Sequence, residues 1–344
     1  MTGPSDAVRV SAHAPGRVNL IGEHTDYTGG LALPMAIDLG TRVTGLRQPE
    51  DKTDAVRLWS ADADDQAVVP LTIDDPSSLE PPWARYVGGV VHELRPAFGF
   101  DGEVTTTVPI GSGLSSSAAL ELAVALALGF EGSALDLAAL GQQAEQIASG
   151  VPCGIMDQLA SAAGVAGHAL LMNFTTLTVE PVPVPEGAAI HVIHSGQHRE
   201  LAGSAYGERR AACERAAAKV GPLLEAALAD LAAIDDDTTR RRARHVITEN
   251  ERVRSFAAAF RAGDLATAGE IMVASHRSLR DDFAVSTDVL DALVDRLVTT
   301  PGVHGARLTG AGFGGCVVAL ADPGALDEGW LVHASDGARV ELLT

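Results

Sequence analysis

One segment limits this 344-residue chain more than any other: Pro109-Ile110-Gly111-Ser112-Gly113-Leu114-Ser115-Ser116-Ser117. It joins a Val/Thr-rich stretch at 102–108, which reads as a strand, to an alanine- and leucine-rich helix at 118–128. Strand, glycine-serine turn and helix together make a geometry that binds phosphate. A helix N-terminus presents unpaired N–H groups and a partial positive charge. Gly111 and Gly113 let the backbone take positive φ and approach a ligand closely. Ser115, Ser116 and Ser117 offer hydroxyls to phosphate oxygens or to Mg²⁺. A serine-capped helix without a ligand is the plainer alternative, but three serines after two glycines exceed what a cap needs. A Walker-type loop is excluded, because it requires a lysine in G-x-x-x-x-G-K-[ST] and the only two lysines, Lys52 and Lys219, lie far away.

The charge balance removes other classes. The chain has 25 Lys+Arg against 45 Asp+Glu, a net charge of −20. That argues against a nucleic-acid partner, whose phosphates call for clustered basic charge. A 46% hydrophobic and 20% charged composition suits a globular protein. Residues 1–10 lack the apolar core of a signal peptide, and the apolar stretch 122–130 is too short for a bilayer, which takes ~20 residues. A cytoplasmic protein with no membrane partner is expected. Cys153, Cys213 and Cys316 form no CxxC pair, so they read as buried thiols.

The order of elements indicates an α+β protein of two domains. Strands are expected at 8–14, 38–47 and 54–60, with Pro15-Gly16 breaking the first. A polar connection covers 62–82 and a helix 83–94. Further helices are expected at 135–149, 155–163, 205–219, 222–233, 238–261 and 264–277. Strands are expected at 189–193, 303–308 and 316–320. Three prolines at 181, 183 and 185 mark the boundary between domains 1–180 and 181–344, since proline suits neither a central strand nor a helix interior.

Two more segments carry chemistry. Residues 16–27 place Arg17, Glu23, His24, Asp26 and Tyr27 between glycines. That density of donors and acceptors suits a polyhydroxylated ligand, although a solvated turn has the same composition. Asp157 stands among small and apolar residues at the start of a helix. It is either a general base or a carboxylate that favours the helix dipole. Glu145 lies upstream on the preceding helix, so one carboxylate can hold a metal while the other faces an acceptor hydroxyl.

Together these segments resemble the GHMP kinases, and the galactokinase branch in particular. Pro15-Gly16-Arg17-Val18-Asn19-Leu20-Ile21-Gly22-Glu23-His24-Thr25-Asp26-Tyr27 is similar to the galactokinase signature almost letter for letter. So is Cys153-Gly154-Ile155-Met156-Asp157-Gln158. The resemblance continues through 198–210 and 276–282 to Leu308-Thr309-Gly310-Ala311-Gly312-Phe313-Gly314-Gly315-Cys316. Thr28 departs from it, standing where relatives often carry asparagine.

The resemblance implies an N-terminal ribosomal-protein-S5-domain-2-like domain and a C-terminal ferredoxin-like domain, with the active site between them. It implies transfer of the ATP γ-phosphoryl group to the C1 hydroxyl of galactose, with Mg²⁺, by a monomer. Asp157 would be the base and Arg17 would stabilise the transition state. Glu23, His24, Thr25, Asp26, Gly154 and Tyr206 would hold the sugar. Gly111, Ser112, Gly113, Leu114, Ser115, Ser116 and Ser117 would wrap the triphosphate, with Ser60 and Trp83 near the nucleotide. Ser117 and Glu145 would ligate Mg²⁺. A kinase for N-acetylgalactosamine or arabinose, and a non-catalytic sensor of galactose and ATP, are the alternatives.

Overall fold

The computed structural model describes residues 7–49, 53–197 and 202–343. Residues 1–6, Lys52 and the 198–201 part of the motif at 198–210 lie outside them. The first half builds a six-stranded sheet from β1 (Val8–Asn19), β3 (Pro34–Pro49), β4 (Ala55–Ser60), β5 (Asp65–Pro70) and β6 (Phe98–Thr106), completed by the last strand, β13 (Arg339–Leu343). Its order is β13-β1-β3-β6-β4-β5. Strand alternation turns Val10, Ala12 and Ala14 of β1 inward. They meet Val87, Val90 and Val91 of α1 (Ala84–Leu94) and Leu122 of α2 (Ser116–Ala127) in one core. Leu137 of α3 (Ala134–Ser149) and Leu159 of α4 (Met156–Ala163) close it.

The second half centres on a four-stranded antiparallel sheet. Its order is β10 (Val303–Thr309), β11 (Cys316–Ala321), β9 (Ala189–His194) and β12 (Trp330–Val332). Around it lie α5 (Ala202–Val220), α6 (Asp237–Ala262), α7 (Leu265–Asp281) and α8 (Asp288–Val298). Every residue of β11 is buried. Its alternate side chains serve two clusters. Val317, Ala319 and Ala321 pack with Leu290 and Leu297 of α8. Cys316, Val318 and Leu320 join Val18, Leu20, Leu33 and Met35 of the first half. That second cluster welds the two sheets into one body. A small sheet, β2 (Leu31–Ala32), β7 (His168–Asn173) and β8 (Thr178–Pro183), completes the fold.

Several expectations are corrected. Pro15-Gly16 does not end β1, because the strand absorbs the pair as a bulge between Pro15 and Arg17. The stretch 62–82 contains β5, whose Ala67 and Val69 are buried while Gln66 and Val68 face out. Residues 222–233 form turns and a short 3-10 helix, Leu228–Ala233. Only Leu223 and Leu231 are buried there, so an α-helix would have no apolar face to pack. The boundary placed between residues 180 and 181 falls inside β8, where Pro181 and Pro183 occupy an edge strand and Pro185 lies just beyond it. The chain end returns to the first sheet, with β13 pairing β1 from Arg9↔Leu343 to His13↔Arg339.

Candidate active site

The bulge in β1 starts the site. A Cβ on Gly16 would lie 2.6 Å from the Leu114 carbonyl oxygen, so only glycine lets the glycine-serine turn lie on this strand. The Arg17 N–H donates to that carbonyl (3.1 Å), and the guanidinium donates to the Gly113 carbonyl (2.7 Å). The same guanidinium grips Asp157 with two bonds, 2.8 Å to Oδ1 and 2.6 Å to Oδ2. Such a planar fork fixes orientation as well as distance. Ser115 has a left-handed backbone (φ 59°) at the N-cap of α2, yet its hydroxyl does not cap the helix. It donates to Asp157 Oδ2 at 2.6 Å instead. Asp157 keeps 31% of its side chain exposed against 5% for Arg17, so the carboxylate faces open space while the cation stays behind it.

That space is two adjoining cavities. One, of about 380 Å³, is lined by Glu23, His24, Asp26, Gly154, Tyr206 and the Gly310-Ala311 backbone. The other, of about 740 Å³, is lined by Ser60, Trp83, Gly111 and the serines Ser115, Ser116 and Ser117. Arg17, Tyr86, Glu145 and Asp157 border both.

In the smaller cavity Asp26 lies against Gly154. A Cβ on Gly154 would fall 1.7 Å from Asp26 Oδ2, so a side chain there would displace the carboxylate. Burial, helped by the charges of Asp157 and Glu23, pushes Asp26 up to about 7. Burial likewise pushes His24 down to about 3, so it is neutral. Its Nε2 meets the Ala311 carbonyl (3.2 Å), which only accepts, and must carry the proton. Its Nδ1 therefore accepts from the Tyr27 hydroxyl at 2.9 Å. Both ring nitrogens are spent on the protein. The Tyr206 ring of α5 lies tilted 5.6 Å from His24 and edge-to-face 5.3 Å from Tyr27. Arg210, from the same helix, donates to the Pro152 carbonyl and ties α5 to the loop before Asp157.

Three expected residues point elsewhere. Thr25 is fully buried and its hydroxyl bonds the Gly22 and Leu31 carbonyls, bracing the loop rather than lining the cavity. The Ser112 hydroxyl donates to the Pro109 carbonyl at 2.6 Å, and Leu114 belongs to the core. Neither side chain lines a cavity. On the larger cavity, Trp83 presents a buried indole N–H with no hydrogen-bond partner. Ile110 lines the same wall while 73% exposed, an apolar surface that the sequence did not single out.

The Ser117 hydroxyl donates to Glu145 Oε1 at 2.9 Å. Burial, then the nearby Asp157 charge, pushes Glu145 up to about 7. This hydroxyl and carboxylate are hard oxygen donors beside the glycine-serine turn, of the kind Mg²⁺ takes alongside phosphates. Among the described residues no group of three or more His, Cys, Asp or Glu gathers to hold a metal unaided.

Sequence reasoning also missed a buried polar cluster behind the loop at 20–25: Glu249 and His245 of α6, Ser275 of α7 and Arg307 of β10. The available signal was Arg307, a charge beside Ala306 and Leu308 directly before Thr309-Gly310. Among the described residues no helix is long and apolar enough to cross a membrane.

A chain that lays such a turn across Arg17 and Asp157, at the junction of two sheets, belongs to the GHMP kinases. The N-terminal domain model of that superfamily matches residues 85–165 and the C-terminal model residues 256–331. More narrowly, the chain belongs to the galactokinase family, whose galactose-binding signature matches residues 3–45. It is 43% identical to a galactokinase of Chloroflexus aggregans over 92% of this chain and 85% of that one. It is 41% identical to the galactokinase of Homo sapiens over 96% and 92%. Lactococcus lactis galactokinase, solved in complex with galactose, superposes with a TM-score of 0.88 at 32% identity, covering 96% of this chain and 95% of that one. A mevalonate kinase of Methanococcus jannaschii shares the fold at 20% identity (TM-score 0.68), with 96% of each chain covered.

Proposed function

We infer that this chain is an ATP-dependent galactose 1-kinase, moving the γ-phosphoryl group of ATP to the C1 hydroxyl of α-D-galactose. The carrying observation is that two cavities of different character meet at one Arg–Asp pair. The smaller, edged by the Glu23 and Asp26 carboxylates, suits a hydroxyl-rich sugar. The larger, with the glycine-serine turn at one end and the apolar Ile110 and Trp83 on its wall, suits a nucleotide.

Phosphoryl transfer passes through a loose transition state, so placement and charge stabilisation outweigh base strength. Asp157 orients the C1 hydroxyl and accepts its proton as the oxygen is phosphorylated. Arg17 and Ser115 hold that carboxylate in one pose, and Arg17 faces the transferring group with fixed positive charge. Gly111, Gly113 and the first turn of α2 meet the phosphates with N–H groups. Ser117 and Glu145 are the residues that would hold Mg²⁺, which supplies charge neutralisation on the phosphates when bound. Glu23, Asp26, Gly154 and Tyr206 shape the sugar side, with His24 ordering Tyr27 and the Ala311 carbonyl around them. Ser112 and Leu114 hold the turn's shape, and Thr25 the loop's. Residues 1–180 together with β13 carry the transfer groups, and the remainder of 181–344 closes the sugar side. The protein is read as a monomer, which light scattering should report as 35.5 kDa.

A sugar panel with coupled ADP detection tests this reading. Galactose should support turnover well above N-acetylgalactosamine or arabinose. Preference for either of those sugars would replace galactose as the substrate. ATP and galactose binding without any ADP would make the protein a sensor.

A further inference from the structure

The loop that carries Glu23 is fixed from behind by charges of the second half. Arg307 is fully buried on β10. Its guanidinium lies between two carboxylates, 3.4 Å from Glu23 Oε1 and 3.9 Å from Glu249 Oε1. It also reaches the carbonyls of Asn19 and Leu20 at 3.4 and 3.3 Å, while its Nε and one terminal nitrogen have no hydrogen-bond partner. Glu249, equally buried, accepts from the Gly22 N–H (3.0 Å), the Ser275 hydroxyl (2.6 Å) and Arg252 (2.6 Å). His245, pushed down to about 4 by burial and so neutral, donates its Nε2–H to the Glu23 carbonyl at 3.2 Å, and its Nδ1 accepts from the Ser278 hydroxyl at 2.9 Å. The cluster thus balances two carboxylates, Glu23 and Glu249, against two guanidiniums, Arg307 and Arg252. Buried charges persist only when balanced in this way.

Among the described residues both donors to the Glu23 carboxylate, the Gly310 N–H at 2.7 Å and Arg307, reach Oε1. Glu23 nonetheless lines the smaller cavity. We propose that Arg307, backed by Glu249, is a positioning residue for sugar recognition, committing Glu23 Oε1 to the protein so that Oε2 is left to accept a sugar hydroxyl. The inference rests on the galactose reading above. Arg307 touches neither cavity, so its influence on the sugar passes through Glu23.

Arg307→Met leaves Glu23 and Glu249 as two buried carboxylates with one cation between them. Its KM for galactose should rise about tenfold, the scale of one charge-assisted hydrogen bond, with KM for ATP nearly unchanged. Galactose affinity measured by calorimetry without nucleotide should weaken in step. Arg307→Lys keeps the charge and should recover most of the loss. The double variant Arg307→Met/Glu249→Gln removes the surplus negative charge and should bind galactose more tightly than Arg307→Met alone. A purely structural role would not produce that rescue. If Arg307→Met fails to fold, Arg307→Lys set against Arg307→Lys/Glu249→Gln reads the same coupling. Folded variants with unchanged galactose affinity, or a double variant no better than its parent, would overturn the proposal. Wild-type protein that binds galactose without phosphorylating it would defeat the functional reading instead, and calorimetry would still decide the role of Arg307.

Discussion

At the residue scale the account depends on Asp157, held from three directions by Arg17 Nε, Arg17 NH2 and Ser115 Oγ. Asp157→Ala removes the group proposed to face the C1 hydroxyl but leaves the residues of the smaller cavity in place. Its kcat should drop by about three orders of magnitude or more, with galactose affinity within a few-fold of wild type. Near-normal kcat would contradict the assignment. Arg17→Lys replaces a two-pronged grip by a point charge, and kcat should fall about 100-fold through misplacement of Asp157. Gly154→Ala sets a methyl group where Asp26 Oδ2 now lies, so galactose KM should rise while ATP KM holds. These residues were legible because glycines punctuate the motifs that carry them. The side chains of Thr25, Ser112 and Leu114 turn away from the cavities, which a motif does not say, because it names residues without their orientation. Glu249 and Arg307 were missed for another reason. Their contacts with the loop at 19–23 span more than 200 positions of sequence, as with Gly22 and Glu249, 227 apart.

At the scale of elements, α2 ties the site to the sheet. Its N-terminus meets the glycine-serine turn, and its C-terminus is closed by Arg47 of β3, which donates to the Ala127 and Leu126 carbonyls at 2.8 and 2.9 Å. A cation there satisfies orphan carbonyls and complements the helix dipole. Arg47→Ala should cost about 1 kcal/mol in urea unfolding while leaving kcat unchanged, because the phosphate end is untouched. Loss of activity in step with stability would show that the two ends of α2 are coupled. The helices α1 to α4 were readable because each has a strong local pattern. Ser133, for instance, caps α3 and completes a capping box with Asp136. The strand β13 was not, since all five of its residues are exposed and nothing alternates. Its place is set by backbone pairing to β1 across the whole length of the chain.

At the scale of the whole molecule, the buried carboxylates make stability depend on pH in opposing directions. Asp26 and Glu145 titrate near 7 in the folded protein, against 3.8 and 4.5 as ordinary values. Between those limits the folded chain binds more protons than the unfolded one. Their contribution is full at low pH and lost as pH rises through about 7. Burial would push Glu249 up, but Arg252, His245 and Arg307 together hold it down to about 2. Its contribution is present above about 4.5 and lost as pH falls through about 2. The buried neutral histidines, His24, His245 and His276 among them, act the other way and add stability as pH rises toward 6.5. Asp26→Asn should therefore shift the Tm of the ligand-free protein toward a steeper rise, or a shallower fall, between about pH 5 and pH 8 than wild type shows. A Tm–pH slope identical to that of wild type would contradict the assignment of Asp26.

Residues of both halves line one site, and the central claim concerns one bond formed there. The direct measurement is phosphorus NMR of the products from ATP, Mg²⁺ and galactose. Wild-type protein should yield ADP and galactose 1-phosphate in equal amounts, with the new ester at C1, and Asp157→Ala should yield neither. Phosphate transferred to another hydroxyl, ADP released with inorganic phosphate alone, or undiminished product from Asp157→Ala would contradict the account.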